Sequence, residues 1–248
     1  MGLGAEYARQ LAASGLNLVL VAWPADGLEE LAQTLESRHG IETRCVVLDL
    51  ADRAKVLSLA ETTESLEIGL VVYNAAQARV GPFLQQDLDG KLRSVDVNCG
   101  GPLILTHAFA GPMVQRGRGG IILMSSLSAF HGTALVATYA ATKAFNLMLG
   151  EALWEELRGS GVDVLVVCPG ATRTPGWEQS HAHIKGSLSA PVMESAPVVS
   201  EALQALGRRP LLIAGRANRL SGLLLNRLMP RRSAVELLAR SMRRMYPR

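Results

Sequence analysis

Short apolar runs alternate with helical patterns along most of this chain, and that alternation restricts its fold more than any other feature. "LNLVLVA" (16–22), "TRCVVLDL" (43–50), "IGLVVYNA" (68–75), "GGIILMSS" (119–126) and "VDVLVVCPG" (162–170) read as strands. Helical patterns lie between them at 26–40, 53–63, about 87–115 and 137–161. The strands are near-continuously apolar, as parallel strands are when helices cover both faces. The order therefore implies an α/β fold with a doubly wound parallel sheet and right-handed crossovers. The 248 residues, 48% hydrophobic and 19% charged, suffice for a single domain with its own core. No internal repeat or low-complexity linker divides it. Residues 1–207 are expected to form the main unit, and 208–248 a last strand followed by basic helices.

Open parallel sheets bind ligands outside the carboxyl ends of their strands. Candidates for chemistry are sought there. Gly2 and Gly4 open a helix that Ser14-Gly15 ends. Glycines at a helix start suit a phosphate group, because the ligand can approach the free N–H groups and the positive dipole end. In "TYAATKA", Tyr139 and Lys143 lie one helical turn apart on one face. A tyrosine needs help to work near neutral pH, its reference pKa being about 10. A cation one turn away favours the phenolate, so the pair suits proton transfer. The same spacing also suits an ordinary surface pair. Ser126 ends the preceding strand. Asn98 lies mid-helix on an apolar face, where a polar side chain needs a partner. "NAA" (74–76) and "CPG" (168–170) follow two further strand ends.

In this order and spacing the residues resemble the short-chain dehydrogenase/reductase family over nearly all of 2–205. Gly2-Leu3-Gly4 looks like the end of the family's TGxxxGxG turn. Asp49, with Leu50 beside it, matches the acidic residue that contacts the adenine. Asn74-Ala75-Ala76 resembles the NAG segment. Pro169-Gly170, with Thr172 and Thr174, resembles the segment that holds the nicotinamide end of the cofactor. Asn98, Ser126, Tyr139 and Lys143 match the family's catalytic four. The resemblance implies a Rossmann-type NAD(P)-binding catalytic domain. It also implies hydride transfer between a nicotinamide cofactor and the carbonyl or secondary-alcohol carbon of a hydrophobic small molecule. Tyr139 would pass the proton. Lys143 would depress the Tyr139 pKa and bind the nicotinamide ribose. Ser126 would hydrogen-bond the substrate oxygen, and Asn98 would hold a water in a proton relay. A homodimer or homotetramer through the helices carrying Asn98 and Tyr139 is implied too. The alternative is a catalytically idle nucleotide-binding or scaffold relative.

The chain departs from that pattern in two places. The family's first strand and the first glycine of its turn have no counterpart here; the expectation is a longer protein whose upstream segment supplies them, and the other reading is a real truncation that leaves the chain inactive or poorly folded. In the family an Asp near the end of the second strand selects NAD. Here the stretch is "VAWPADG" (21–27), with Asp26 read as a helix N-cap. The missing acid favours NADP over NAD.

The remaining features fix compartment and partners. Three cysteines without CxxC spacing point to a reducing, cytoplasmic compartment. No run approaches the length of a membrane span. His181 and His183 lie in the stretch from Pro175 to Pro191, read as a substrate lid, and no further ligand cluster makes them a metal site. Trp177 in that stretch either covers an apolar substrate or simply packs. His131 either lines the pocket or is an ordinary loop residue. Residues 208–248 hold 11 arginines and one acid, Glu236, a balance of 11 − 1 = +10. Their leucines form apolar stripes on both sides of Pro230. This segment caps the pocket, contacts another subunit, or touches an anionic membrane surface through 219–248. Nothing in it reads nucleic acid, so no nucleic-acid partner is expected.

Overall fold

The apolar runs become strands whose side chains alternate between two helix layers. The computed structural model describes residues 2–179 and 191–246. Its strands are β1 (Leu18–Ala22), β2 (Thr43–Val47), β3 (Leu70–Tyr73), β4 (Gly119–Met124), β5 (Val162–Cys168) and β6 (Leu211–Ile213). Its α-helices are α1 (Leu3–Ala13), α2 (Leu28–His39), α3 (Arg53–Thr62), α4 (Leu88–Val95), α5 (Gly101–Gln115), α6 (Ala137–Glu156), α7 (Pro175–Gln179), α8 (Ser195–Ala205), α9 (Arg216–Leu223) and α10 (Arg231–Met245). All strand pairs are parallel. In β4, Ile121 and Leu123 pack with α3 and α5, while Ile122 and Met124 pack with α1 and α8. This is the two-residue period of a strand buried on both faces.

Hydrogen bonding divides the strands into two groups, β1–β2 and β3–β4–β5–β6. No described strand bridges β1 and β3. Helices join the groups instead. On one face, α1 sends Ala5, Ala8 and Ala12 against Leu18 and Leu20 of β1, and Leu3, Tyr7 and Leu11 toward Leu70 and Val72 of β3. On the other face, Val21 and Val46 join the cluster built on Val71, Tyr73 and α5. Every side chain of β1 is only half-buried, whereas β4 is buried from Gly120 to Met124. The open edge of β1 accounts for that difference.

Several local expectations need correction. Asp26 does not cap α2; Gly27, at φ 71°, holds that position in a left-handed turn. The helix after "SAFHGTALV" ends at Glu156, because Gly159 and Gly161 take φ 80° and 81°. Helix α8 has no counterpart in the sequence reading. Its Val199, Ala202 and Ala205 are buried against β5 and β6, and Val198 is buried as well.

Candidate active site

The site is built around the carboxyl end of β4. There Lys143, only 2% exposed, donates from Nζ to the Met124 carbonyl oxygen at 2.8 Å. Ser125 Oγ donates to the Lys143 carbonyl at 2.7 Å and pins the helix backbone to the strand end. Ser126 caps a single 3-10 turn, its Oγ accepting the Ser128 N–H at 3.2 Å, and its side chain hydrogen-bonds Tyr139. The Lys143 ammonium lies 5.7 Å from the centre of the Tyr139 ring. Helix α6 starts just after Leu135, which sits at φ 66° and whose carbonyl accepts the Gly81 N–H at 2.8 Å. A leucine in that left-handed region costs roughly 1–2 kcal/mol, and strain of this kind clusters at functional sites.

Burial governs the protonation of these groups. It brings the Lys143 ammonium down to about 8 from its ordinary 10.5. It raises the Tyr139 phenol, while the Ser126 hydrogen bond pulls the other way. In this arrangement Lys143 is held to the end of β4. Its ammonium is committed to the Met124 carbonyl, and desolvation weakens its charge. Cys168, beside Ser125 and Ser126, is pushed up to about 12 by burial, which keeps its thiol unreactive. Burial, aided by the Arg231 charge, lowers His131.

Asn98 lies in a π-helical turn, Asp96–Gly100, between α4 and α5. Single π turns inside α-helices are frequent at functional sites. Tyr73, at the end of β3, donates its hydroxyl to the Val97 carbonyl in this turn. A Cβ at Gly101 would collide with the Tyr73 ring. Asn98 itself is fully buried. Its Oδ1 accepts the Gln77 N–H at 2.8 Å, and its Nδ2 donates to the Gln77 carbonyl and to Thr142 Oγ1, both at 2.9 Å. The side chain thus braces the loop after β3 against α6, one residue from Lys143. Four described side chains bury a polar atom without a hydrogen-bond partner. Three of them, Gln77, Ser128 and Asn146, surround this cluster. Unpaired buried polar atoms are rare in native folds, and these three gather at the candidate site.

The cofactor candidates converge on the N-terminus of α1. Gly2 occupies the N-cap without any side-chain cap, so the first N–H groups of the helix face outward. A Cβ on Gly2 would stand 3.2 Å from Thr174 Cγ2, and one on Gly4 would stand 2.8 Å from Asn74 Nδ2. The glycine turn, the end of β3 and the segment after β5 therefore meet. Gly170 is equally tight, its Cβ position 2.7 Å from Asn218 Nδ2. Thr172 Oγ1 donates to the Gly170 carbonyl at 3.1 Å, and Pro169 accepts the Leu127 N–H at 3.1 Å. Thr174 Oγ1 accepts the Trp177 N–H at 3.1 Å, which places a half-buried Trp177 beside this turn. Leu3, Leu50 and Ala75 pack onto the core clusters, so they shape the cradle from beneath, while Ala76 is exposed. Uncapped helix N–H groups ringed by glycines fit a pyrophosphate, and the dinucleotide expectation is compatible with these residues.

Asp49 has a partner the sequence did not suggest. Arg93 of α4 binds both its carboxylate oxygens at 2.9 Å, and this holds the carboxyl below its ordinary value. The other residues sequence reasoning missed are Tyr73, Gln77, Thr142, Asn146 and Asn218. Thr142 stands inside "TYAATKA" and was findable there. Tyr246 is a further addition, since it interacts electrostatically with Tyr139. His181 and His183 lie outside the described residues.

Comparison with known proteins agrees with this geometry. The short chain dehydrogenase family model matches residues 1–185. A 7beta-hydroxysteroid dehydrogenase from Clostridium sardiniense is 29% identical over 218 residues, covering 88% of this chain and 83% of that protein. A very-long-chain 3-oxoacyl-CoA reductase from Neurospora crassa is 39% identical over 171 residues, 67% of this chain and 52% of that protein. The chain thus spans about half the length of the latter. Among solved structures, one of a 7beta-hydroxysteroid dehydrogenase superimposes with a TM-score of 0.86 at 26% identity, covering 96% of this chain and 92% of that one. A short-chain dehydrogenase from Sphingobium yanoikuyae in complex with NADPH gives 0.78 at 34% identity, covering 90% and 88%. The chain belongs to the short chain dehydrogenase family. It is an NAD(P)-dependent oxidoreductase that interconverts a carbonyl and an alcohol.

Proposed function

We propose that this chain reduces a bulky hydrophobic ketone, or oxidises the matching secondary alcohol, with NADPH preferred to NADH. The observation that carries this reading is the cluster of Ser126, Tyr139 and Lys143 at the end of β4, beside the cradle of Gly2, Gly4, Asn74 and Thr174. The names of the related enzymes, a hydroxysteroid dehydrogenase and a long-chain oxoacyl reductase, support a large apolar substrate. The absence of an acid in Ala22-Trp23-Pro24 supports NADPH.

The roles follow from the groups themselves. The nicotinamide cofactor supplies or accepts the hydride when bound. Tyr139 gives the proton to the carbonyl oxygen in reduction and takes it back in oxidation. Ser126 donates to the same oxygen and stabilises its developing charge. Lys143 turns from the Met124 carbonyl to the ribose and the phenol. Asn98 positions α6 and orders the proton path. Gly2, Leu3, Gly4, Asn74, Ala75 and Ala76 hold the dinucleotide, together with Pro169, Gly170, Thr172 and Thr174. Asp49 and Leu50 flank its adenine. His131 and Trp177 border the substrate. Residues 1–207 form the catalytic unit and 208–248 its basic extension. The enzyme works in the cytoplasm as a homodimer or homotetramer, and residues 219–248 touch a membrane surface.

Titration with NADPH and NADH, followed by nicotinamide fluorescence, tests the cradle; tighter binding of NADPH is expected. Tyr139→Phe tests the chemistry. It should lower turnover about 10²–10⁴-fold, the usual worth of a general acid–base group, and leave NADPH binding unchanged. Unchanged turnover would overturn the enzymatic reading.

A further inference from the structure

Helix α9 and the π turn that follows it, Leu224–Leu228, carry four leucines out into solvent. Leu220 is 61% exposed, Leu223 54%, Leu224 48% and Leu228 73%. Their spacing places them along one side of the helix. The opposite side is spent on the fold. Asn218 is buried and donates to the Ala214 carbonyl at 2.8 Å, and a Cβ on Gly222 would rest 3.4 Å from Ile213 Cδ1 of β6. The leucine ridge therefore points away from the sheet, and nothing in the core needs it. Scattered single leucines on a surface are normal, but a contiguous ridge marks an interaction face.

The charges of the segment that carries the ridge say what covers it. Arg216, Arg227, Arg231, Arg232, Arg240, Arg243 and Arg244 are exposed. Among the ion pairs of the described residues, Arg232 meets Glu236, and Arg219 meets Glu201. Glu236 is the one acid from Arg208 to Arg248. We propose that the Leu220–Leu223–Leu224–Leu228 ridge, with the exposed arginines of the same basic segment, forms a docking face for an anionic lipid bilayer. Leucines enter the acyl boundary while guanidiniums meet headgroup phosphates, as in interfacial helices. A second copy of the chain fits poorly. A two-fold contact would set arginines against arginines with a single acid per copy to relieve them. A nucleic acid would leave the leucines in water.

The same segment adjoins the catalytic residues. The charge of Arg231, at the start of α10, acts on His131, and Tyr246, just past its end, acts on Tyr139. Resting on the membrane contact proposed above, this assigns that contact to the Leu220–Leu228 ridge, on the segment whose charges act on His131 and Tyr139.

The test is co-sedimentation of the full chain with vesicles of phosphatidylglycerol mixed with phosphatidylcholine, and of phosphatidylcholine alone. The expected result is binding to the anionic vesicles at low salt and release at high salt. Leu224→Asp with Leu228→Asp should cut the bound fraction at least about tenfold, with NADPH binding and turnover of a water-soluble ketone unchanged. No binding at low salt overturns the proposal. So does binding that survives the leucine changes, since charge alone would then explain it. A fall in oligomer mass with the leucine variant assigns the ridge to a second copy and overturns it too. NADPH titration of the same samples separates these outcomes from failure of the enzymatic reading.

Discussion

Lys143 keeps an ammonium where water hardly reaches, and stability bears the cost. Burial lowers its pKa to about 8, against 10.5 for the ordinary side chain. Between those values the unfolded chain holds a proton that the folded chain has released, so this group's contribution to stability rises with pH across that window. Below about 8 the folded protein carries the full penalty of the buried charge. A shift of this size corresponds to about 3 kcal/mol at most. Urea unfolding at pH 7 and pH 10 should show the wild type gaining about 2–3 kcal/mol relative to Lys143→Met as pH rises. Parallel pH profiles would mean that the ammonium is hydrated. Tyr139, Lys143 and Ser126 were legible in the sequence because helical spacing and a strand end place them. Their protonation was not, because it depends on which carbonyl the ammonium finds. The partner of Asp49 was hidden for a similar reason: Arg93 lies 44 residues away.

The long helical stretch that begins at Asp87 and runs to Gln115 was visible as a pattern, yet its decisive feature was not. Periodicity does not reveal the extra residue that makes Asp96–Gly100 a π turn. That turn exists beside a long-range contact, in which Tyr73 reaches from β3 to the Val97 carbonyl and Gly101 leaves room for its ring. Gly101→Ala should destabilise the fold by about 1–3 kcal/mol, the usual cost of overpacking a filled site. In a Tyr73→Val background the same change should cost much less, because the obstructing ring is gone. Equal costs in both backgrounds, read by urea unfolding, would place the strain elsewhere. Helix α8 was overlooked for a plainer reason: its buried stripe is short and half alanine, a weak hydrophobic signal. The break between the two basic helices was easy, since Pro230 cannot continue a helix.

For the molecule as a whole, strand type was legible and strand neighbours were not. Parallel pairing follows from continuous apolar runs, but the division into β1–β2 and β3–β4–β5–β6 depends on contacts between distant segments. Helix α1 compensates by packing on both groups, so Ala8 and Ala12 matter for cohesion more than their size suggests. A second whole-molecule feature is the apolar surface on the helices beside the site. Leu88 and Leu92 of α4, Leu103 of α5 and Met148 of α6 are 65%, 53%, 47% and 59% exposed. These helices carry or flank Asn98 and Tyr139, so a partner covering them would also stiffen the candidate cluster. Unlike the leucine ridge of α9, this surface has no excess of arginine, and a second copy can cover it without repulsion. Sedimentation velocity should find a dimer or tetramer at micromolar concentration. Leu92→Asp with Met148→Asp should shift it to monomer, because a closed contact would bury two new carboxylates without partners. NADPH binding should persist in that monomer, since the cradle of Gly2, Gly4 and Thr174 is made within one chain. A wild-type monomer would rule out the oligomer, and an oligomer that ignores both substitutions would move its interface off α4 and α6.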